Sequence, residues 1–348
     1  MQQQSLILVT GGAGFLGINL CRHLLAAGYR VRSMDIAAFD YPERQQVEIM
    51  QADIRDAKAV EAAMNGVAAV IHCAAALPQA SPTEIFSTNV DGTRLLLEIA
   101  ARRQLGRFVF ISSTAVYGVP DHHPILETDR VSGVGCYGES KIRGERLCRD
   151  YAHERSGITI LRPKTFVGPE RLGAFELLYQ WAYAGHGFPV LGRGDNPYQL
   201  LDVEDLCEVI QRCIEIDAAA ADATFNVGAA QIDTMRGNVQ AVLDRAGYGA
   251  TVTCLPLRPA VWLLRVLNAC HLSPLYPWIY ETAGRESVVS IERLQKTLAF
   301  TPRFSNRAAL IRNYDWYVAH RAEYLRVRGV THRVPWRHGV LDLAKLFF

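Results

Sequence analysis

Short, mostly apolar runs punctuate the first half of the chain, at residues 6–9, 31–34, 47–50, 68–73, 108–112 and 158–161, and each is followed by a longer amphipathic stretch. Strands that read as continuous apolar runs, rather than as alternation, are buried on both faces, as in a parallel sheet with helices packed on each side. The pattern therefore predicts an α/β fold, a Rossmann-type doubly wound parallel sheet, over residues 1–168. Past "FVGP" the alternation weakens and aromatics, Pro and Gly become commoner, so a smaller, discontinuous substrate-binding region is expected over 169–199 and 231–348. Between them, "LLDVEDLCEVIQRCIEI" reads as a strand end followed by an amphipathic helix and "ATFNVG" as another strand, so residues 200–230 are expected to return to the first domain. The 348 residues fit this division, since one domain commonly takes roughly 100–200.

The formal net charge is +2 with both signs dispersed. That leaves no concentrated positive field for a phosphate backbone, so nucleic acid is excluded as a partner. The eight cysteines include no Cys-x-x-Cys pair and several lie in apolar runs, which reads as reduced thiols, a reducing compartment and no metal ligand set. "MQQQ" leads straight into an apolar run without room for a signal sequence, and the expected location is cytoplasmic. The apolar stretch 255–272 is interrupted by Arg258, Pro259 and Arg265, too broken for a bilayer-spanning helix. Membrane-surface contact stays open there. It also stays open for the basic tail 326–348, for which a solvated or packed terminus is the simpler reading.

Gly11, Gly12, Gly14 and Gly17 follow the first apolar run and open a helical pattern. Missing side chains at this spacing permit a tight turn, close approach of a pyrophosphate and close helix packing, with the positive helix end facing the phosphates. A glycine turn that merely packs tightly has the same sequence. Asp35, at the end of the second run, stands where a carboxylate accepts bonds from the adenosine ribose, which favours NAD over NADP. Arg30 and Arg32 are near enough in sequence to change that preference.

In "GCYGESKIRGE", Tyr137 and Lys141 are four apart, on one face of a predicted helix. A cation beside a phenol favours the phenolate, so Lys141 can make Tyr137 a usable acid or base. Ser112, Ser113 and Thr114 close another apolar run, at the carboxyl edge where open α/β sheets place ligands. A surface Tyr and Lys one turn apart, or a polar strand end, would each look the same alone.

Together with "DIRD", "HCAAA", "NVDGT", "LRP", "VGP" and "LDVEDL", these motifs resemble an extended short-chain dehydrogenase/reductase of the NAD-dependent epimerase/dehydratase family, over about the first 230 residues. The resemblance implies that Gly11, Gly14 and Gly17, with Phe15 and Leu16, hold the pyrophosphate and that Asp35 binds the ribose. It implies that Asp53 and Ile54 flank the adenine, and that Ala74, Ala75, Ala76, Asn89 and Pro163 line the cofactor's path. It casts Ser113 as the catalytic hydroxyl, Tyr137 as acid/base and Lys141 as the nicotinamide-ribose ligand that lowers the Tyr pKa. The implied reaction is hydride transfer at a secondary alcohol or ketone, by epimerisation or net redox, in a homodimer. Cys136 and His72 read as structural.

Departures narrow the substrate. The family's 4,6-dehydratases carry an Asp-Glu pair where this chain has Thr114 and Ala115, so dehydration is not expected. Nucleotide-sugar epimerases commonly carry an Asn where this chain has Thr165 and an Arg where it has Tyr198, both touching the diphosphate. Lys164, Arg171 or Arg193 would have to compensate. Trp262, Tyr276, Trp278 and Tyr280 give 255–280 a composition similar to sterol and hydroxysteroid dehydrogenases, although an aromatic stripe is more often core. Two alternatives thus stand beside the nucleotide-sugar reading: a sterol or 3-hydroxysteroid dehydrogenase, and a dinucleotide-binding sensor without turnover. The intact Ser113, Tyr137 and Lys141 argue against the sensor.

Overall fold

The computed structural model describes residues 4–154, 157–170, 174–269, 280, 282–324 and 345. Six strands, β1 (Leu6–Thr10), β2 (Arg30–Asp35), β3 (Val47–Gln51), β4 (Ala69–His72), β5 (Phe108–Ile111) and β6 (Ile158–Pro163), join Thr224–Val227 in one seven-stranded sheet. The order across it is Thr224–Val227, β6, β5, β4, β1, β2, β3, with every pairing parallel. Chain order reverses between β1 and β4, the switch point outside which open α/β sheets place ligands. Pairing of Thr10 with both Met34 and His72, and of His72 with Phe110, aligns the carboxyl ends along one edge.

The apolar code works because β1, β4 and β5 are buried at every residue. Toward the edge, β2 alternates instead: Arg30 and Arg32 face Glu48 of β3, each at 2.6 Å, with Arg32 directly opposite it in register. Leu8, Val70, Phe108 and Phe110 pack with Leu96, Ile99 and Leu147 from the covering helices. Gly144 lets the helix Gly135–Glu154 lie against Phe110, whose ring would sit 2.6 Å from any added Cβ.

The chain divides into two units. The first holds Met1–Lys164, Val203–Gly228 and Val289–Thr301. The boundary after Lys164 and the return at Val203 sit a few residues from the expected 168 and 200. The third segment departs from the expectation that all of 231–348 belongs elsewhere: Val289 and Ile291 pack with Val116, Tyr117, Ile125 and Ile142, and Arg212 donates to the carbonyl of Leu298. In the second unit, Tyr179, Leu200, Val242, Leu310, Tyr314 and Tyr317 share a core. Asn306 anchors that unit's helix Asn306–Tyr324 by accepting from the Leu200 amide and donating to the Tyr198 carbonyl. Among the described residues no helix is long and apolar enough to cross a membrane, no group of His, Cys, Asp and Glu is arranged to hold a metal, and no disulfide joins the cysteines.

Candidate active site

At the switch point the chain leaves β1 through Gly11, at φ +69°, and enters the helix Phe15–Ala26 at Gly14. A Cβ on Gly11 would lie 2.7 Å from the Ala74 amide nitrogen, and one on Gly17 would lie 2.1 Å from the Gly11 carbonyl. Gly12 is similarly tight against Ser33. Gly14 differs, with only the Gly11 carbonyl oxygen near, at 3.1 Å. No side chain caps this helix and its first turn carries no acid, so its amides and positive end are presented to an anion. Phe15 and Leu16 are buried side chains; what they can offer a phosphate is their backbone.

These contacts separate two roles among the glycines. Gly17→Ala is expected to cost about 1–3 kcal/mol, as overpacking does, while Gly14→Ala melts close to the wild type. Thermal unfolding followed by circular dichroism checks this, and equal melting temperatures would contradict the close approach at Gly17.

One Asp35 carboxylate oxygen accepts from the Ala13 amide at 3.0 Å and the other from Ala37 at 2.9 Å. Burial pushes its pKa up and these amides pull it back. With the Ile36 amide as a third backbone donor, the four acceptor sites of the carboxylate still leave room for a ribose hydroxyl. Arg30 and Arg32 are committed to Glu48. Asp53 is tied to Arg55 at 2.6 Å, which holds its carboxyl below the usual range, and the Ile54 side chain packs on Gly92. The two therefore turn their side chains to Arg55 and the core. Pro163 ends β6 opposite Val227.

Ala74 to Ala76 are held by buried groups beneath them. Asn89 accepts from the Ala76 amide at 2.7 Å and donates to the Ala76 carbonyl and the Ser140 hydroxyl, so it braces this loop against the helix that carries Tyr137. His72 spans Thr10 and Thr93, at 2.8 and 2.9 Å. Thr93 spends its proton on the Asn89 carbonyl, so His72 Nε2 must donate to Thr93, and Nδ1 accepts from Thr10. Burial, with the charge of Lys141, holds this imidazole neutral, its pKa pulled down to about 3.

The helix Gly135–Glu154 brings Tyr137 and Lys141 to the end of β5. Buried Lys141 donates to the Ile111 carbonyl at 2.8 Å and lies 5.1 Å from the Phe110 ring centroid and 5.9 Å from that of Tyr137. Burial brings its pKa down to about 8. Ser113 caps the turn Thr114–Tyr117 by accepting from the Ala115 amide at 3.1 Å, which leaves its proton for donation. Gly138, next to Tyr137, packs on that turn, where an added Cβ would lie 3.0 Å from the Ala115 carbonyl. Neighbouring Ser112 is not equivalent, for its hydroxyl donates to buried Glu145 at 2.7 Å.

Glu145 opens a network that the sequence did not disclose. Arg162 on β6 binds both its oxygens, at 2.8 and 2.6 Å, and also donates to the Tyr117 hydroxyl at 2.8 Å and the Glu127 carbonyl at 3.0 Å. Tyr117 donates to Asn226, whose amide donates to the Glu127 carboxylate. The only hint is Glu145 four residues after Lys141. Of the groups named as possible diphosphate ligands, Lys164 is buried, which lowers its pKa to about 8, Arg193 is exposed beside Asp195, and Arg171 lies outside the described residues. Thr165 and Tyr198, at the positions where an Asn and an Arg were looked for, hydrogen-bond each other. Trp262 is 67% exposed and Tyr280 buried, while Tyr276, Trp278 and most of the basic tail lie outside the described residues.

The model of the NAD dependent epimerase/dehydratase family matches residues 7–228. A 3 beta-hydroxysteroid dehydrogenase/Delta 5→4-isomerase of Mycobacterium tuberculosis is 27% identical over 339 residues, covering 90% of each chain. The UDP-glucose 4-epimerase of Bacillus subtilis is 30% identical over 262 residues, 64% of this chain and 76% of that one. Among solved structures, the UDP-glucose 4-epimerase of Thermotoga maritima, with UDP-glucose, superposes with a TM-score of 0.74 at 22% identity, covering 90% of this chain and 99% of that one.

Proposed function

The chain belongs to the NAD dependent epimerase/dehydratase family, and from that premise we propose that it transfers hydride reversibly at a secondary alcohol, Tyr137 moving the proton. The observation that carries this is buried Lys141, fixed to the Ile111 carbonyl at 2.8 Å one helical turn from Tyr137 and beside the turn capped by Ser113. Residues for NAD are present: the uncapped helix at Gly14, the Gly11 turn and an Asp35 carboxylate with acceptor capacity beyond its three backbone amides. The commitment of Arg30 and Arg32 to Glu48 supports NAD over NADP. When bound, NAD supplies the hydride acceptor. Ser113 donates to the substrate oxygen and fixes the carbinol, while the Lys141 ammonium favours the Tyr137 phenolate, which takes the hydroxyl proton and becomes the phenol. Return of that proton to the ketone oxygen, as hydride comes back to the opposite face, completes an epimerisation; where the ketone departs first, the phenol releases the proton to solvent instead.

Loss of water is not part of the proposed reaction. Thr114 and Ala115 carry no carboxyl, and Glu145 is saturated by Ser112, Arg149 and Arg162.

For the substrate, the first reading is a nucleotide sugar, supported by the family and by the B. subtilis relative. A second reading, a 3-hydroxysteroid-like alcohol, is favoured by one observation: Thr165 and Tyr198 hydrogen-bond each other where an Asn and an Arg would address a diphosphate. The match to the M. tuberculosis enzyme over 90% of each chain is in line with it. The two separate when the NAD-loaded protein is given UDP-hexoses and 3β-hydroxysteroids. Epimerised sugar without net NADH is the expected result. Accumulating NADH with steroid, and no sugar conversion, selects the second reading, and turnover of neither overturns both.

A further inference from the structure

The helix Leu257–Ala269, LRPAVWLLRVLNA, contains no buried residue. Trp262 is 67% exposed, Leu263 52%, Val266 40% and Leu257 38%. With 3.6 residues per turn, Trp262, Val266, Pro259 and Leu263 form one outward stripe, and Arg258 and Arg265 border it on the Trp262 side. The helix has no acidic residue. A contiguous apolar stripe of this kind marks an interaction surface, and its borders say which kind.

We infer that this face docks on an anionic membrane surface. An indole and aliphatic side chains at the acyl boundary, with guanidinium groups beside them on lipid phosphates, are the components of an interfacial helix lying in the plane of the bilayer. Guanidinium also suits phosphate geometrically, through paired N–H donors. A second copy of the chain fits less well. In a twofold contact residue i of one copy meets residue j of the other, so burying this stripe would set Arg258 and Arg265 at the rim against apolar residues, with no carboxylate in the helix to pair them. The inference is independent of which alcohol the enzyme takes.

Co-sedimentation with vesicles tests it, using phosphatidylcholine alone and phosphatidylcholine mixed with phosphatidylglycerol. Wild-type protein is expected to pellet with the mixed vesicles, and less so as salt rises. Trp262→Glu with Leu263→Glu abolishes pelleting; Arg258→Gln with Arg265→Gln weakens it about tenfold or more, given what each basic residue contributes near such a surface. These positions are exposed, so both variants should keep the wild-type circular dichroism spectrum. Failure to pellet with anionic vesicles, unchanged pelleting of either variant, or light scattering that shows a dimer dissociated by the Trp262 variant would each overturn it.

Discussion

Tyr137→Phe lowers kcat by about 10²–10⁴-fold, the usual worth of a positioned acid/base, and leaves NAD affinity and melting temperature unchanged. The change removes one oxygen. It keeps the ring that lies 5.9 Å from the Lys141 ammonium, and with it the cation–π contact. Steady-state rates, equilibrium NAD titration and thermal melts on the same preparation check the three parts together. Turnover near the wild-type level would remove the phenol from the mechanism.

The pH behaviour sharpens this test because Lys141 links activity and stability with opposite signs. Burial lowers its pKa from 10.5 to about 8. In the folded protein the ammonium is therefore lost as pH rises through about 8, and with it the charge that favours the phenolate, so the wild-type rate should fall. The unfolded chain still holds that proton, so it binds more protons than the native state between the two values, and this group's contribution to stability rises there. Below the folded value both states are charged and the full cost of burying the ammonium is present. Lys141→Met is expected to lower kcat and to flatten both limbs.

What could be read from sequence was whatever writes itself locally. β1, β4 and β5 are buried on both faces, and burial on both faces leaves a run of apolar letters. Tyr137 and Lys141 share a helical turn, so their spacing alone brings them together. The glycine turn was legible because only a missing Cβ admits Gly17 against Gly11. By contrast, Glu145 meets Arg162 between a helix and a strand, and Tyr117 meets Asn226 across 109 positions. Neither pairing has a period that a one-dimensional reading can detect. Asn89 was assigned to the cofactor's path through its motif, but its amide is spent on Ala76 and Ser140. Val289–Thr301 reads like the rest of the second region because its return depends on contacts with Ile125 and Arg212 that only the fold creates.

Arg162→Met is expected to cost about 3–5 kcal/mol, the penalty for removing one partner of a buried ion pair and leaving the other uncompensated. Arg162 is 2% exposed and Glu145 1%. Burial alone would raise the Glu145 pKa, but the hydrogen bonds and charge of Arg162, the Ser112 hydroxyl and Arg149 outweigh it and hold the carboxyl below its usual range. Its stabilising contribution is therefore present above the unfolded carboxylate pKa and is lost as pH falls through the folded one. In Arg162→Met that acid-side loss should shrink, because the charge that depressed the pKa is gone. Glu145→Gln with Arg162→Met removes both charges and should recover part of the stability, as replacing a whole buried pair does. The network also bears on catalysis: Ser112 and Tyr117, on either side of the Ser113 turn, are held through it to the helix bearing Tyr137. A positioning role of this kind predicts that the double variant, compared at a temperature where it is fully folded, keeps its NAD affinity and loses kcat more than it changes KM. Denaturant titrations across pH give the stability terms, and the split between kcat and KM gives the positioning term. A double variant with wild-type kcat would reduce Glu145 and Arg162 to packing.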